Sequence, residues 1–453
     1  MLTILAFVVA LGVLIAVHEY GHYRVAVAFG VKVLRFSVGF GKPLLRWRSK
    51  ASGTEFVLAA FPLGGYVRML DEREAPVASE ERHLAFNTQP LRARAAIVAA
   101  GPVANLLLAV VLYATVNWSG VEEPVAYLAS PVPGSVAQAA GLRGGELVRN
   151  AALGSDELRP VRSFEDLRWM LTRGALESTP VQLELEPKPG AALRTVVLPL
   201  EQIDTQEADA QLLRKVGIVA PWTRPLIGAL TEGGAGQRAG LRDGDLVLGI
   251  GKVDVVDGQQ LRELIRASVR GTQPLAQAWR IDRAGQTLTL EVTPDVVRDS
   301  AGVTGRIGAY VGAPPQLATV QYGMLEGLWA GAVRTWDVSI LTLRMMGRMV
   351  IGEASLKNLS GPLTIADYAG RSASMGLAQY LGFLALISVS LGVLNLLPLP
   401  VLDGGHLMYY LWEGITGRGV SDAWMERLQR GGVAVLLLMM SIALFNDITR
   451  LLG

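Results

Sequence analysis

Two histidines and a glutamate stand in the short run HEYGH, His18 to His22, which closes a stretch of sixteen uncharged residues from Leu2 to Val17. Residues four apart on a helix share a face. His18 and His22 can therefore present their imidazoles to one cation while Glu19, one step round, faces a water bound to it. Zinc accepts neutral imidazole at about 2.0–2.1 Å and brings the pKa of its bound water to about 7. A carboxylate can then take the proton as that water attacks a carbonyl. The spacing H-E-x-x-H is thus the sequence form of metal-assisted hydrolysis. As a mere pair of core histidines beside a structural glutamate, the trio would be costly to bury at membrane depth without a partner.

A catalytic zinc usually has three protein ligands. The chain has no cysteine, so the third ligand must also be a histidine or a carboxylate. Two residues compete, Asp403 and His406, both in NLLPLPVLDGGH at 395–406. His406 is attractive because imidazole is a common ligand. Position favours Asp403, which ends a long uncharged run where a carboxylate must be paired or on a metal. Gly404 and Gly405 follow it directly and permit unusual backbone angles. Pro398 and Pro400 interrupt the preceding helix, and broken backbone at membrane depth is tolerated only where it lines a cavity. Asn395 brings an amide to the same region; it could hold a substrate carbonyl or the oxyanion formed from it, or bond one helix to another.

The elements that must position these residues are apolar. Of 453 residues 51% are hydrophobic and only 18% charged, and the mean hydropathy is positive, which points to a membrane protein with a soluble part. The net charge of +2 gives no reason to expect nucleic acid. Four stretches can span a bilayer, at about 2–24, 95–118, 377–402 and 431–446, the last being short. The first lacks the basic leading region and cleavage site of a signal peptide and is expected to be retained. Loop 29–94 carries Lys32, Arg35, Lys42, Arg46, Arg48 and Lys50 among other basic residues. The positive-inside rule assigns it to the cytoplasm, with both termini and the stretch from about 120 to 320 outside.

That outside stretch repeats itself. GSVAQAAGLRGGELV (134–148) aligns without gaps to GGAGQRAGLRDGDLV (233–247), with nine of fifteen positions identical. A period of this size means two copies of a small domain, at 121–222 and 223–315. Short β-rich runs and a helical patch surround each copy. The AGLRxGDxV signature resembles the PDZ domains of bacterial envelope proteases, which bind peptides by adding a strand to a sheet edge; a β-rich spacer without ligand is the alternative. Segment 322–350 mixes Trp, Met and Arg at roughly helical spacing. It is either a helix at the outer membrane surface or a packed connector, within a linking region of 316–376 that leads to the last two spans in 377–453.

Taken together, HEYGH, FSVGFGKPL (36–44), FPLGGYVRMLDE (61–72), GPVAN (101–105), the repeats, NLSGPLTIA (358–366) and LGVLNLLPLPVLDGGHL (391–407) resemble the site-2 proteases, a family of intramembrane zinc metalloproteases. The resemblance covers nearly the whole chain. It implies that His18, His22 and Asp403 bind Zn2+, that Glu19 is the base, and that Asn395 helps hold substrate. It also implies that loop 36–70 is a membrane-associated β-hairpin whose edge, with Gly64 and Gly65, pairs with a substrate segment. Without it, FPLGGYV reads as a turn between strands. Ser390 departs from the pattern, standing where a second asparagine is often found.

The expected fold is therefore mixed: a polytopic helical membrane protein with four transmembrane helices, a β-hairpin region within residues 1–120, and two inserted PDZ-like domains. The expected partners are the lipid bilayer, peptides at the PDZ grooves, and a single-pass membrane protein. The resemblance implies that this last partner is an anti-sigma factor in the bacterial inner membrane already trimmed outside, with remnant signal peptides a second class. A metal-free scaffold or chaperone bearing PDZ domains is the alternative, separated by metal content. A metal transporter would need polar residues along several spans, whereas here they cluster at one place.

Overall fold

The computed structural model describes residues 2–50, 52–203, 210–299, 302–352 and 361–452; residues 358–360 of the NLSGPLTIA motif lie outside them. Two compact units form, one from Met1–Val121 with Gln321–Leu452 and one from Glu122–Val320.

In the first unit four helical stretches are long and apolar enough to cross a membrane: Leu2–Ala28, Leu91–Ser119, Leu377–Asn395 and Ala423–Thr449. The third stops at Asn395 rather than reaching 402, because Pro398 and Pro400 cannot continue a helix. The fourth is longer than its apolar run of 431–446, since its polar flank stays helical through the i,i+4 pair of Glu426 and Arg430.

Lipid gives no hydrophobic drive to helix association, so close packing through small residues must supply it. A Cβ on Gly21, the glycine of HEYGH, would overlap Ala100 and Ala104 of the second helix. One on Gly392 would stand 3.0 Å from the Pro102 carbonyl, and one on Gly331 2.8 Å from that of Val110. The second helix is thus the hub on which the first, the third and helix Met324–Val350 converge. The last of these packs along the second helix, tied by Asn117 Nδ2 to the Gly327 carbonyl at 3.0 Å and by Trp118 Nε1 to that of Met324 at 3.0 Å. Asp447, late in the fourth stretch, accepts from the amides of Gly361, Leu363 and Thr364 and so caps helix Pro362–Met375.

Strands Val33–Arg48 and Glu55–Met69 form a ribbon in which each strand is used twice. Residues 35–38 are flanked by 65–68 on one side and by 55–58 on the other, and 55–59 also face 43–48. Because 35–38 match 55–58 in ascending order and 65–68 in descending order, the chain reverses between 59 and 65, so FPLGGYV carries the turn that leads into the edge segment 65–68. Phe40, Leu44, Leu45 and Phe61 leave the far end of the ribbon exposed and apolar.

The second unit contains the repeat as structure. In the first copy the sheet order is 159–160, 147–153, 181–186, 194–198, and in the second 253–254, 246–250, 277–283, 286–292, every pairing antiparallel. Helices Phe164–Leu176 and Gly258–Ala267 occupy matching places, capped by Ser163 and Asp257. The acid of the repeated signature binds the turn before it. Glu146 accepts from the amides of Arg143 and Gly144, and Asp245 from that of Arg242. Asp245, only 1% exposed, also takes two hydrogen bonds of 2.7 Å from Arg283.

Burial alone would raise the Asp245 carboxyl, but the Arg283 guanidinium and the Arg242 amide more than offset this and hold it below the usual carboxylate range. A carboxyl depressed in the folded state stabilises above its unfolded value, near 4, and loses that contribution as pH falls through the folded one. Asp245→Asn is expected to weaken the second repeat by about 1.5–3 kcal/mol at pH 7 and by progressively less towards pH 3. Hydrogen exchange of strands 246–250 and 277–283 in both proteins, compared at each pH, reads this. Equal protection at pH 7 would contradict it.

Candidate metal centre

His18 and His22 lie one turn apart on the first helix, their ring centroids 4.8 Å apart and their planes at 82°. The close approach made possible by Gly21 brings the second helix against them. Gly101 packs so tightly on the His22 ring that a Cβ would overlap Nε2. One turn away from Gly101, Ile97 accepts a 2.8 Å hydrogen bond from His22 Nδ1. A carbonyl only accepts, so Nδ1 carries the proton and the Nε2 lone pair is free. One turn further, the Asn105 amide lies 3.2 Å from His18 Nδ1.

Asp403 arrives from the other end of the chain. Beyond Asn395 the backbone breaks at the prolines and folds back so sharply that a Cβ on Gly404 would overlap the carbonyls of Leu396 and Leu397, and one on Gly405 that of Leu399. Only glycines permit this turn. It sets Asp403 at the start of helix Asp403–Thr416, with Oδ2 3.2 Å from His18 Nε2 and 3.5 Å from His22 Nε2; the two nitrogens are 3.2 Å apart.

These separations test whether a metal fits. Four ligands around zinc at about 2.0–2.2 Å stand about 3.4 Å from one another in a tetrahedron. All three observed distances lie close to that edge. Asp403 Oδ2 is buried and accepts no hydrogen bond among the described residues, an arrangement that is costly without a cation. His18, His22 and Asp403 form the one His/Asp/Glu cluster of metal-binding geometry among the described residues. His406 stays outside it, its ring edge-on to Tyr409 with centroids 5.9 Å apart.

Glu19 is largely buried beside the trio. A Cβ on Gly65 would sit 2.8 Å from Glu19 Cγ and 2.8 Å from the Ser37 carbonyl, so the ribbon presses directly on the glutamate. Gly64 instead packs on the Phe40 ring. Asn395 is half-buried at the end of its helix, eight positions before Asp403, with no hydrogen-bond partner among the described residues. Ser390 turns its hydroxyl to its own helix, donating to the Leu386 carbonyl at 3.0 Å. The residues that sequence reasoning left without a role are Gly101 and Asn105. Their signal was present in GPVAN, a glycine and a polar amide four apart in an apolar run.

Comparison with known proteins agrees with this geometry. The model of peptidase family M50 matches residues 6–439. A Ralstonia nicotianae protein that carries the name of a zinc metalloprotease is 42% identical over all of this chain and 99% of its own. Proteins named regulator of sigma-E protease from Salmonella typhi and Escherichia coli K12 are 39% and 38% identical, each over 98% of both chains. The chain belongs to peptidase family M50, the site-2 proteases, and is a zinc metalloprotease.

Proposed function

We propose that the enzyme hydrolyses a peptide bond in or next to the membrane segment of single-pass proteins, with zinc held by His18, His22 and Asp403. The reading is carried by the convergence of two Nε2 atoms and one buried carboxylate oxygen at 3.2–3.5 Å among apolar helices. Bound there, zinc would supply a Lewis acid and a water that ionises near neutral pH. Glu19 accepts at its carboxylate the proton leaving that water and returns it to the departing amide nitrogen. The Asn395 side-chain NH2 donates to the substrate carbonyl as negative charge develops on it.

A spanning helix has its backbone bonded internally and must unwind before a carbonyl can reach the metal. Residues 65–68 pair on one side with 35–38, and Gly65 abuts Glu19. A substrate segment added as a strand along that edge would exchange its helical bonds for ladder bonds while passing the base.

The relatives named as sigma-E regulators support an anti-sigma factor, trimmed beforehand outside the inner membrane, as substrate; remnant signal peptides are a second class. The basic residues of 29–94 favour a cytoplasmic ribbon and an active site near that face, with both termini and the repeats outside. The repeats, read as two PDZ-like domains, would bind peptides or exclude untrimmed substrates by size.

Replacing Glu19 with Gln removes the proton acceptor and leaves every proposed zinc ligand in place. Cleavage of a single-pass substrate in cells is expected to fall by about 10²–10⁴-fold with zinc content unchanged; near-normal turnover would remove Glu19 as the base. The orientation is tested separately. Because the chain has no cysteine, single cysteines introduced at Lys50 and at Gly285 report sidedness cleanly. An impermeant thiol reagent applied from outside is expected to label the second and spare the first, and the opposite pattern would reverse the topology.

A further inference from the structure

We infer that Asn105 is a positioning residue that fixes the tautomer of His18 by accepting, through its side-chain oxygen, the proton on Nδ1. The inference rests on the zinc-site reading above. His22 has its proton fixed on Nδ1 by the Ile97 carbonyl at 2.8 Å, which frees Nε2 for the metal. His18 turns Nε2 to the same point, 3.2 Å from Asp403 Oδ2, and must likewise carry its proton on Nδ1.

The group facing that proton is the Asn105 amide, with Nδ2 at 3.2 Å. Two donors would then oppose each other, while the amide's own Oδ1 is buried and accepts no hydrogen bond among the described residues. Both faults are resolved together by half a turn about the Cβ–Cγ bond, which exchanges two nearly indistinguishable ends. Oδ1 then accepts Nδ1–H, which fixes the tautomer and ring plane of the imidazole. The residue is built to hold still: Asn105 is fully buried, and its backbone carbonyl accepts a 2.7 Å hydrogen bond from Ser388 Oγ of the third spanning helix. Each histidine thus has one acceptor on the second helix, two turns apart, and the helix that closes the pocket locks the second of them.

The test is the zinc dissociation constant of the detergent-solubilised full chain, by competition with a chromophoric chelator, for wild type, Asn105→Asp, Asn105→Leu and Asn105→Ala. Aspartate keeps the accepting oxygen and is expected to bind zinc within about threefold of wild type or more tightly, whereas leucine and alanine lose about 10–100-fold. Should the leucine protein fail to insert, the alanine protein, which adds no bulk, carries the comparison. Wild-type affinity in both apolar variants would overturn the inference. So would a loss in aspartate equal to that in leucine, since the position would then serve packing alone. A wild-type protein that binds no zinc would instead overturn the metal-site reading itself.

Discussion

Two imidazole nitrogens and one carboxylate oxygen held within 3.5 Å of one another in largely apolar surroundings are costly without a cation or a shared proton, and the rest of the membrane unit is arranged to make that meeting happen. His18 and His22 come from residues near the start of the chain, and Asp403 from a point fifty residues before its end. A carboxylate in such a place is expensive unless paired. A metal bound there, as proposed, would also join two helical elements far apart in sequence. Chemistry and assembly therefore share one interaction.

Packing against a single helix gives that meeting its precision. Leu91–Ser119 touches the first helix through Gly21, offers Gly101 as the floor beneath His22, and presents Ile97 and Asn105 to the two rings. Its other side takes Gly392 of the third spanning helix and Gly331 of the connector. Small residues do this because only backbone-close approach yields enough dispersion contact between helices in lipid. The same logic extends to the ribbon, where Gly65 brings an edge against Glu19.

Much of this was legible in the residues. HEYGH identifies itself by spacing, and Asp403 by being a lone carboxylate at the end of an apolar run followed by two glycines. The repeat was visible as nine identities in fifteen, and its acid, Asp245 or Glu146, turned out to hold the preceding turn by its amides. What stayed hidden depends on contacts between distant segments. FPLGGYV turns the chain, as its paired glycines suggest, but the contacts that also require them, Gly64 with the Phe40 ring and Gly65 with Glu19, come from tertiary packing that no local pattern shows. The end of the third span was misjudged because apolarity continues past Asn395 while helicity does not. Asn105 was hidden because nothing local says that an asparagine in the second helix faces a histidine in the first.

The proposed metal site is shared by HEYGH and Asp403, with His406 outside it. Zinc content of the purified single variants Asp403→Ala and His406→Ala, measured alongside cleavage of a single-pass substrate, tests it directly. Asp403→Ala is expected to lose both zinc and activity, while His406→Ala, altered where its ring meets Tyr409, is expected to keep its zinc and at least part of its activity. Zinc retained in Asp403→Ala and lost in His406→Ala would contradict it.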